Sequence, residues 1–435
     1  MTKGTVLSFT AAFAFLCVIG DVIAQSTDPS EHARVSEIFL ADSVVEQIGV
    51  NVHLSFFNTP YNRFEDLVRP MLRDSRIRHI RDGAFTNIAP ENTYYKRLRA
   101  LASDGLKFSL VTFDATSPAY LTDLNKLKDV YEWSGRAVIF FEGSNEPNLK
   151  KIADWANISR AHQMELYRQV HSEAGLSSVS VLGPTPWGQS AKELGDISAY
   201  VDYGNWHIYS GGQYPEAFGP GSLRDYMQQA SQIYPNRKFV ATEAGYHSGM
   251  NVPMLKHRPT PEPIVARYLP RLILWNLQRG VVRTYLYEFI DSFARGDSDA
   301  ESNFGLIRAN GTQKASYFAI KSMIGLFSDP GPPFIPVPIE YSMRPASTQV
   351  QTMLFQKRDG KYLLAVWIAL PSWDPQLRMP MQVETRQIAL QLPARISQVS
   401  VHRFSDDGSV SNSDLSTPNG LATLSASDSL TVLEF

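Results

Sequence analysis

Two glutamates, each placed at the end of an apolar run, could together carry out acid–base chemistry. Glu146 lies in Asn145-Glu146-Pro147, after the run that starts at Val138, and Glu243 ends the run that starts at Lys238. If both runs are strands of one parallel sheet, the two carboxylates lie at the same edge. One carboxyl group as acid/base and a second as nucleophile, both facing one sugar ring, is the pairing with which retaining glycosidases cleave a glycosidic bond.

Length, composition and charge place the chain among ordinary globular proteins. It has 435 residues, of which 43% are hydrophobic and 19% charged, so it is long enough for a barrel-sized domain and a smaller companion. The net charge is −2, and no basic run or tail is present to attract nucleic acid or an anionic membrane. We therefore expect no nucleic-acid partner.

The amino terminus has the pattern of a secretory signal. Lys3 precedes an apolar run from about Phe9 to Gly20, and we expect cleavage after Ala24, so that residues 1–24 are a signal peptide and the protein is secreted or periplasmic. An uncleaved membrane anchor is the alternative, although the run is short for a bilayer span. No later segment is long and apolar enough to span a membrane. The only cysteine, Cys17, lies in this segment, so the mature chain would contain no disulfide or thiolate metal site.

Eight strand-like apolar runs alternate with helix-length stretches, and this alternation predicts an α/β fold, a (β/α)₈ TIM barrel over residues 46–327. The runs are 47–54, 77–82, 108–113, 137–143, 179–183, 203–209, 239–243 and 282–289. The helical stretches include 63–74, 93–103, 159–174, 223–233 and 264–278. A doubly wound open sheet is the alternative, but it would need a Gly-rich phosphate loop after the first strand, and residues 51–60 contain none.

The composition changes after the predicted barrel. Residues 328–338 form a Pro/Gly-rich connector, and short alternating runs follow within 339–435, at 350–356, 362–369, 382–392, 399–404 and 430–435. This pattern predicts a small antiparallel β-sandwich packed on the barrel. The lead-in segment, residues 25–45, is a candidate for one further strand of that sandwich.

These motifs resemble clan A of the retaining glycoside hydrolases. The resemblance rests on Asn145-Glu146-Pro147 after the fourth strand, on Thr242-Glu243 at the end of the seventh, and on the segment 303–319 after the eighth. It covers roughly residues 45–325, and several families of the clan also carry a carboxyl-terminal sandwich. The family within the clan is not identified.

The resemblance implies roles for individual residues. Glu146 would be the acid/base and Glu243 the nucleophile, while Asn145 would hydrogen-bond the sugar 2-hydroxyl. Arg81, at the end of the second strand, matches the position of an arginine near the nucleophile of the clan. Glu243 must stay ionised while Glu146 holds a proton, so their surroundings must separate the two pKa values.

Further substrate-binding candidates lie at other strand ends. His207 and Tyr209 share one face at the end of the sixth strand, where the clan provides hydrogen bonds to its two carboxylates. His53, on the first strand, is either a site residue or a core histidine. Aromatic surfaces for stacking against a sugar are predicted at Trp187, Tyr246 and Tyr287, with simple packing as the alternative.

Three other carboxylates are expected to be structural. Glu142 lies deeper in the fourth strand and is predicted to be buried. Glu288 and Asp291, after the eighth strand, are predicted to pair with Arg283 or Arg308, with contact to substrate hydroxyls as the alternative.

The implied reaction is double displacement on a β-linked glycan or glycoconjugate, which needs no cofactor. Neither His-x-His nor His-Glu-x-x-His spacing occurs among the nine histidines, so no metal site is predicted. The carboxyl groups should then lie about 5–5.5 Å apart. A non-catalytic carbohydrate-binding barrel and a transglycosylase that uses the same residues are the alternatives. The sugar, its linkage and the oligomeric state do not follow from the sequence.

Overall fold

The computed structural model describes residues 32–34, 37–253 and 257–435. The predicted signal peptide lies outside these ranges. The helices are α1 Asp42–Gln47, α2 Arg69–Ser75, α3 Thr93–Ser103, α4 Leu127–Trp133, α5 Trp155–Ser172, α6 Leu223–Ile233, α7 Glu262–Gln278 and α8 Ala315–Phe327. A π-helical turn, Phe64–Val68, leads into α2. None of the helices in these ranges is long and apolar enough to cross a membrane.

The strands fall into two groups, one before and one after α8. The first group is β1 His32–Arg34, β2 Ile38–Leu40, β3 Ile48–Asn51, β4 His79–Gly83, β5 Lys107–Val111, β6 Val138–Glu142, β7 Ser180–Leu182, β8 Gly204–Ile208, β9 Phe239–Ala244 and β10 Thr284–Leu286. The second group is β11 Tyr341–Arg344, β12 Val350–Gln356, β13 Tyr362–Ile368, β14 Trp373–Asp374, β15 Met379–Pro380, β16 Arg386–Gln391, β17 Gln398–Phe404, β18 Val410–Ser416, β19 Leu421–Ala426 and β20 Thr431–Glu434.

Strands β3 to β10 form the parallel barrel, which confirms the predicted fold class. Each strand pairs with its neighbour in the chain, and β3 also pairs with β10. The remaining gap, between β7 and β8, is bridged by a parallel pair, Leu182 and Tyr203. All residues of β3, β4 and β8 are buried, as expected for parallel strands covered on both faces. The eight apolar runs were therefore read correctly as barrel strands.

Local signals define several barrel helices. The side chain of Asn92 accepts the backbone N–H of Tyr94 at the start of α3, and Ser222 accepts the N–H of Asp225 at the start of α6. Such caps satisfy N–H groups that have no partner within a helix. The predicted stretches 93–103 and 223–233 coincide with α3 and α6.

Two sheets form the β-sandwich, and the lead-in supplies a strand to each of them. The order is β1-β11-β16-β19 in one sheet and β18-β17-β20-β13-β12-β2 in the other. The expected antiparallel pairing holds except at one edge, where β2 runs parallel to β12. Apolar side chains such as Leu354, Leu364 and Leu390 fill the space between the sheets. The predicted runs did not include β11, β18 or β19 of these sheets. In β18 most side chains are exposed, so its apolar and polar residues do not alternate.

The sandwich is joined to the barrel through a buried ion pair. Arg271 of α7 is fully buried, and its Nε lies 3.1 Å from Oε1 of Glu216. The same guanidinium donates to the carbonyls of Leu370 and Asp428 in the sandwich, at 3.3 and 3.2 Å. Trp367 of β13 donates to Glu216 across 2.7 Å. A buried charge is tolerated only when it is paired and hydrogen-bonded, so these contacts tie the two parts of the chain together.

Candidate active site

The carboxyl ends of the barrel strands gather most of the predicted site residues at one rim, where (β/α)₈ barrels hold their active sites. Glu146 follows β6, His207 lies in β8 and Glu243 lies in β9. One carboxylate oxygen of Glu146, one of Glu243 and one ring nitrogen of His207 all lie within 4.8 Å of one another. The two glutamates, distant in the chain, therefore face each other.

Glu243 is held by three side chains in a buried position. Arg81 Nη1 donates to its Oε1 across 2.7 Å, and the Tyr209 hydroxyl donates to its Oε2 across 2.7 Å. His207 Nδ1 lies 3.4 Å from the same Oε2. Burial alone would raise the pKa of Glu243, but the charges of His207 and Arg81 and the hydrogen bonds from Tyr209 and Arg81 lower it overall. The environment thus favours an ionised carboxylate.

Arg81 is the centre of the polar network beneath Glu243. Its Nε donates to Glu142 Oε2 at 2.9 Å, its Nη1 also to Asn51 Oδ1 at 2.9 Å, and its Nη2 to Asn145 Oδ1 at 2.7 Å. Glu142 is completely buried and also accepts a 2.5 Å hydrogen bond from Ser109. Glu142 therefore lies below the reaction rim. The oxygen of Asn145 is occupied by Arg81, which leaves the amide nitrogen of Asn145 to donate to a ligand.

Glu146 is more accessible than Glu243 and is held more loosely. The exposed fraction of its side chain is 25%, against 11% for Glu243. Its Oε1 lies 2.9 Å from His207 Nδ1. The backbone of Glu146 adopts the left-handed conformation, with φ of 44° and ψ of 52°, which is unfavourable for a residue other than glycine and must be held by the surrounding structure.

The rim encloses two adjoining compartments. We call the smaller one, of about 290 Å³, the Glu146 compartment, because Glu146 lines it together with Trp187, Tyr209, His257 and Phe304. We call the larger one, of about 690 Å³, the His53 compartment, because it extends past His53 to the loops after β4 and β5. Both are lined by Asn145, Glu243 and Tyr287. Glu146 lines only the smaller compartment.

The structure places His53, Trp187 and Tyr287 in the walls of these compartments. His53 Nε2 lies 3.2 Å from Glu288 Oε2. Burial would lower the pKa of His53, but the hydrogen bond and charge of Glu288 raise it overall. The Tyr287 hydroxyl donates to Glu301 across 2.9 Å, and the Trp187 ring centre lies 5.8 Å from that of His257.

Tyr246 is the predicted site residue that the structure does not bring to the rim. It is buried, packs against Tyr268 at a ring separation of 5.6 Å and donates its hydroxyl to the carbonyl of Gln213. It lines neither compartment. Its side chain packs within the protein, so the predicted stacking on a sugar has no support at this position.

Glu288 and Asp291 are structural, but their predicted partners were wrong. Glu288 accepts hydrogen bonds from the backbone and the hydroxyl of Ser292, and Asp291 pairs with Lys314 at 2.9 Å. The predicted cations bind elsewhere, because Arg283 pairs with Glu46 and Arg308 with Glu262. Charge alone cannot identify ion-pair partners that lie far apart in the chain.

Sequence reasoning missed several residues that line the compartments. Asn51 and Asp82 lie at the ends of β3 and β4, so their position could have identified them. Asp82 accepts backbone N–H groups of Leu54 and Gly83, yet burial raises its pKa to about 6. Glu301 and His257 lie on long loops, where no local pattern indicates their direction.

Within the described ranges, one cluster has side chains spaced closely enough to hold a metal ion, namely Glu146, His207 and Glu243. Both oxygens of Glu243 already accept hydrogen bonds, and one donor is the permanent cation of Arg81. A metal ion there would face that positive charge at short range. The donor set suits a hydrogen-bonded carboxylate pair better than a metal centre.

Comparison with known proteins shows similarity of this chain to solved structures at the level of the fold. No protein-family model matches the chain, and no curated protein matches it. A family 39 glycoside hydrolase from Bacteroides cellulosilyticus WH2 is similar in structure, with a TM-score of 0.61 and 18% identity over 91% of this chain and 82% of that chain.

Two further solved structures are similar at 12% identity and a TM-score of 0.53. One is the catalytic domain of the family 30 xylanase C from Talaromyces cellulolyticus, covering 89% of this chain and 96% of that chain. The other is CelM2, a bifunctional glucanase-xylanase from a metagenome library, covering 89% of this chain and 98% of that chain. The predicted resemblance is thus confirmed at the level of the fold, because the chain shares its barrel-and-sandwich architecture with solved glycoside hydrolases of families 39 and 30.

Proposed function

We propose that the protein is a retaining β-glycosidase that cleaves a β-linked glycan or glycoconjugate by double displacement. The observation that carries this proposal is the approach of Glu146 and Glu243, whose nearest oxygens lie within 4.8 Å. Retaining enzymes hold their two carboxyl groups about 5–5.5 Å apart, whereas inverting enzymes leave about 6.5–9.5 Å for a water molecule. Because one oxygen of each glutamate lies within 4.8 Å of the other, both carboxylates can face one sugar ring, and this supports the retaining arrangement.

Glu243 is the nucleophile. Its lowered pKa keeps it ionised near neutral pH, and the donors Arg81 and Tyr209 fix the orientation of its two oxygens. One oxygen attacks the anomeric carbon, the bond to the leaving oxygen breaks, and a covalent glycosyl ester forms. The buried hydrogen bonds restrict the carboxylate to the attacking geometry before substrate binds.

Glu146 is the acid/base. In the first step its proton passes to the leaving oxygen, and in the second its carboxylate takes a proton from a water molecule that attacks the anomeric carbon and releases Glu243. The amide nitrogen of Asn145 is placed to donate to the sugar 2-hydroxyl, a contact that strengthens in the transition state. His207 positions both carboxylates from between them.

The proposal also includes the class of substrate and the cellular location of the protein. A carbohydrate substrate is supported by the glycoside hydrolases that share the fold, and the amino-terminal pattern supports secretion or a periplasmic location. A transglycosylase would use the same residues with a sugar hydroxyl in place of water. A non-catalytic binding barrel would keep the cleft and lose turnover.

Trapping of the covalent intermediate tests the proposal. Wild-type protein, Glu243→Gln and Glu146→Ala are incubated with activated 2-deoxy-2-fluoro-β-glycosides of several sugars, and intact mass and peptide mapping follow. We expect an adduct on Glu243 in the wild type, none in Glu243→Gln, and azide rescue of Glu146→Ala to give a β-glycosyl azide. Glu165→Gln is the matched control, because Glu165 is a half-buried carboxylate on α5 that pairs with Arg168 and lines neither compartment.

Two outcomes would contradict the mechanism. An adduct on a carboxylate other than Glu243 would overturn the assignment of the nucleophile. No adduct from any sugar, with glycan binding retained in both active-site variants, would favour the non-catalytic binding barrel.

A further inference from the structure

We infer that the His53 compartment binds two consecutive sugar rings on the non-reducing side of the scissile bond, so that the protein releases a disaccharide or longer glycone rather than a single sugar. The inference rests on the proposed function.

The positions of the two glutamates assign the direction of the substrate. In double displacement the nucleophile attacks the anomeric carbon opposite the leaving oxygen, and the acid protonates that oxygen. Glu243 lines both compartments, whereas Glu146 lines only the smaller one. The scissile bond therefore lies at the junction, with the leaving group in the Glu146 compartment and the glycone in the His53 compartment.

The first ring of the glycone would meet polar groups at the strand ends. His53 follows β3 and Asp82 lies near the end of β4, and both line this compartment together with Asn145 and Glu243. His53 is held by Glu288 at 3.2 Å and stacks on Phe56 at a ring separation of 4.7 Å. Such a fixed set of donors and acceptors recognises hydroxyl groups of a ring bound next to the nucleophile.

A second set of groups in this compartment lies on the loops after β4 and β5. Three rings form one cluster there, with centroids 5.8 Å apart for Phe85 and Phe113, 5.6 Å for Phe113 and Tyr120, and 6.2 Å for Phe85 and Tyr120. Tyr120 is 54% exposed, and Asn87 and Thr116 line the same part of the compartment. An exposed aromatic face bordered by polar side chains suits the apolar face and hydroxyl edge of a sugar.

The volumes agree with an extended glycone. The His53 compartment, at about 690 Å³, is more than twice the size of the Glu146 compartment, at about 290 Å³. Clefts of about 300–1,000 Å³ enclose ligands of drug size, and a disaccharide is a ligand of that size. In the proposed arrangement the first ring contacts His53 and Asp82, and the second ring contacts Tyr120, which lines the same compartment.

The test compares paired substrates that differ by one sugar. The 4-methylumbelliferyl β-glycosides of glucose, galactose, mannose and xylose are assayed beside those of cellobiose, lactose, mannobiose and xylobiose. We expect the best disaccharide to exceed its monosaccharide in kcat/KM by at least about tenfold and to be released intact. Tyr120→Ala should lower that ratio about tenfold, and Tyr120→Phe should restore most of it.

The neighbouring Leu121→Ala is the matched control, because Leu121 is 50% exposed and lines neither compartment. Two outcomes would overturn the two-ring inference and leave the glycosidase proposal intact. In one, kcat/KM is equal for the two members of every substrate pair; in the other, Tyr120→Ala lowers kcat/KM equally for both members. A third outcome separates the two proposals. If no substrate is turned over, but disaccharides bind more tightly than monosaccharides and Tyr120→Ala removes that difference, the compartment assignment is supported and the proposed catalysis is overturned.

Discussion

Arg81 and Glu243 form an ion pair of 2.7 Å across the interior of the barrel. Their strands, β4 and β9, are not neighbours, because β3 and β10 lie between them in the sheet. The pair therefore depends on closure of the barrel. The ion pair lowers the pKa of the proposed nucleophile and orients one of its oxygens. The proposed chemistry therefore requires the closed barrel.

Replacement of Arg81 by Met should damage both stability and activity. It leaves Glu142 and Glu243 buried without their cation, and removing one partner of a buried pair costs about 3–5 kcal/mol in the free energy of unfolding. The pKa of Glu243 should rise, so the acid limb of kcat/KM should move to higher pH. Urea unfolding and pH–rate profiles measure both effects. Arg81→Lys should give a smaller shift, and an unchanged acid limb in Arg81→Met would contradict the assignment.

His207→Phe should lower kcat by about 10²-fold while glycan binding persists. Proton transfer by a positioned acid or base contributes about 10²–10⁴-fold to rate, and His207 orients Glu146, the proposed acid/base. The charge of His207 lowers the pKa of Glu243, so the acid limb should again move upward. Steady-state kinetics across pH, with Glu243→Gln as the inactive reference, check this. A fall in kcat with no change in the acid limb would mean that His207 acts on Glu146 alone.

The pH dependence of stability should contain a contribution from Asp82. Burial raises its pKa from 3.8 to about 6, so the folded state binds the proton more tightly than the unfolded chain. The stability from this group is complete below pH 3.8 and is lost as pH rises through about 6, by an amount of about 2–3 kcal/mol. In Asp82→Asn, the free energy of unfolding measured with urea should therefore change less between pH 4 and 7 than in the wild type. If the free energy of unfolding depends on pH in the same way in the wild type and in the variant, the contribution assigned to Asp82 is refuted.

Arg271→Ala should destabilise the barrel and the sandwich together. The side chain is fully buried and joins Glu216 to the sandwich carbonyls, so its loss should cost about 3–5 kcal/mol. Calorimetry should still show a single unfolding transition, at a lower Tm. Arg168→Ala, which breaks an exposed pair on α5, should have little effect. Two separate transitions in the wild type would show that the sandwich unfolds independently.

Four residues that the resemblance assigned to the site lie around the two glutamates in the structure, and their roles remain predictions. Asn145, Arg81, His207 and Tyr209 lie around the two glutamates as expected. These residues lie in or directly after strands, and the carboxyl ends of parallel strands meet at one rim. Trp187 and Tyr246 had equal standing as aromatic candidates, but only Trp187 reaches the rim. Loop conformation separates them, and it depends on contacts that periodicity does not encode.

The sequence by itself determined the barrel, the order of its strands and the pair of glutamates at their ends, because buried parallel strands form continuous apolar runs and helices have their own period and caps. The tertiary structure alone decided that Glu288 holds His53, and that Glu146 lines one compartment while Glu243 lines two. It also decided that the lead-in completes both sheets of the sandwich. These relationships join segments far apart in the chain, and such contacts follow from packing in three dimensions rather than from local pattern.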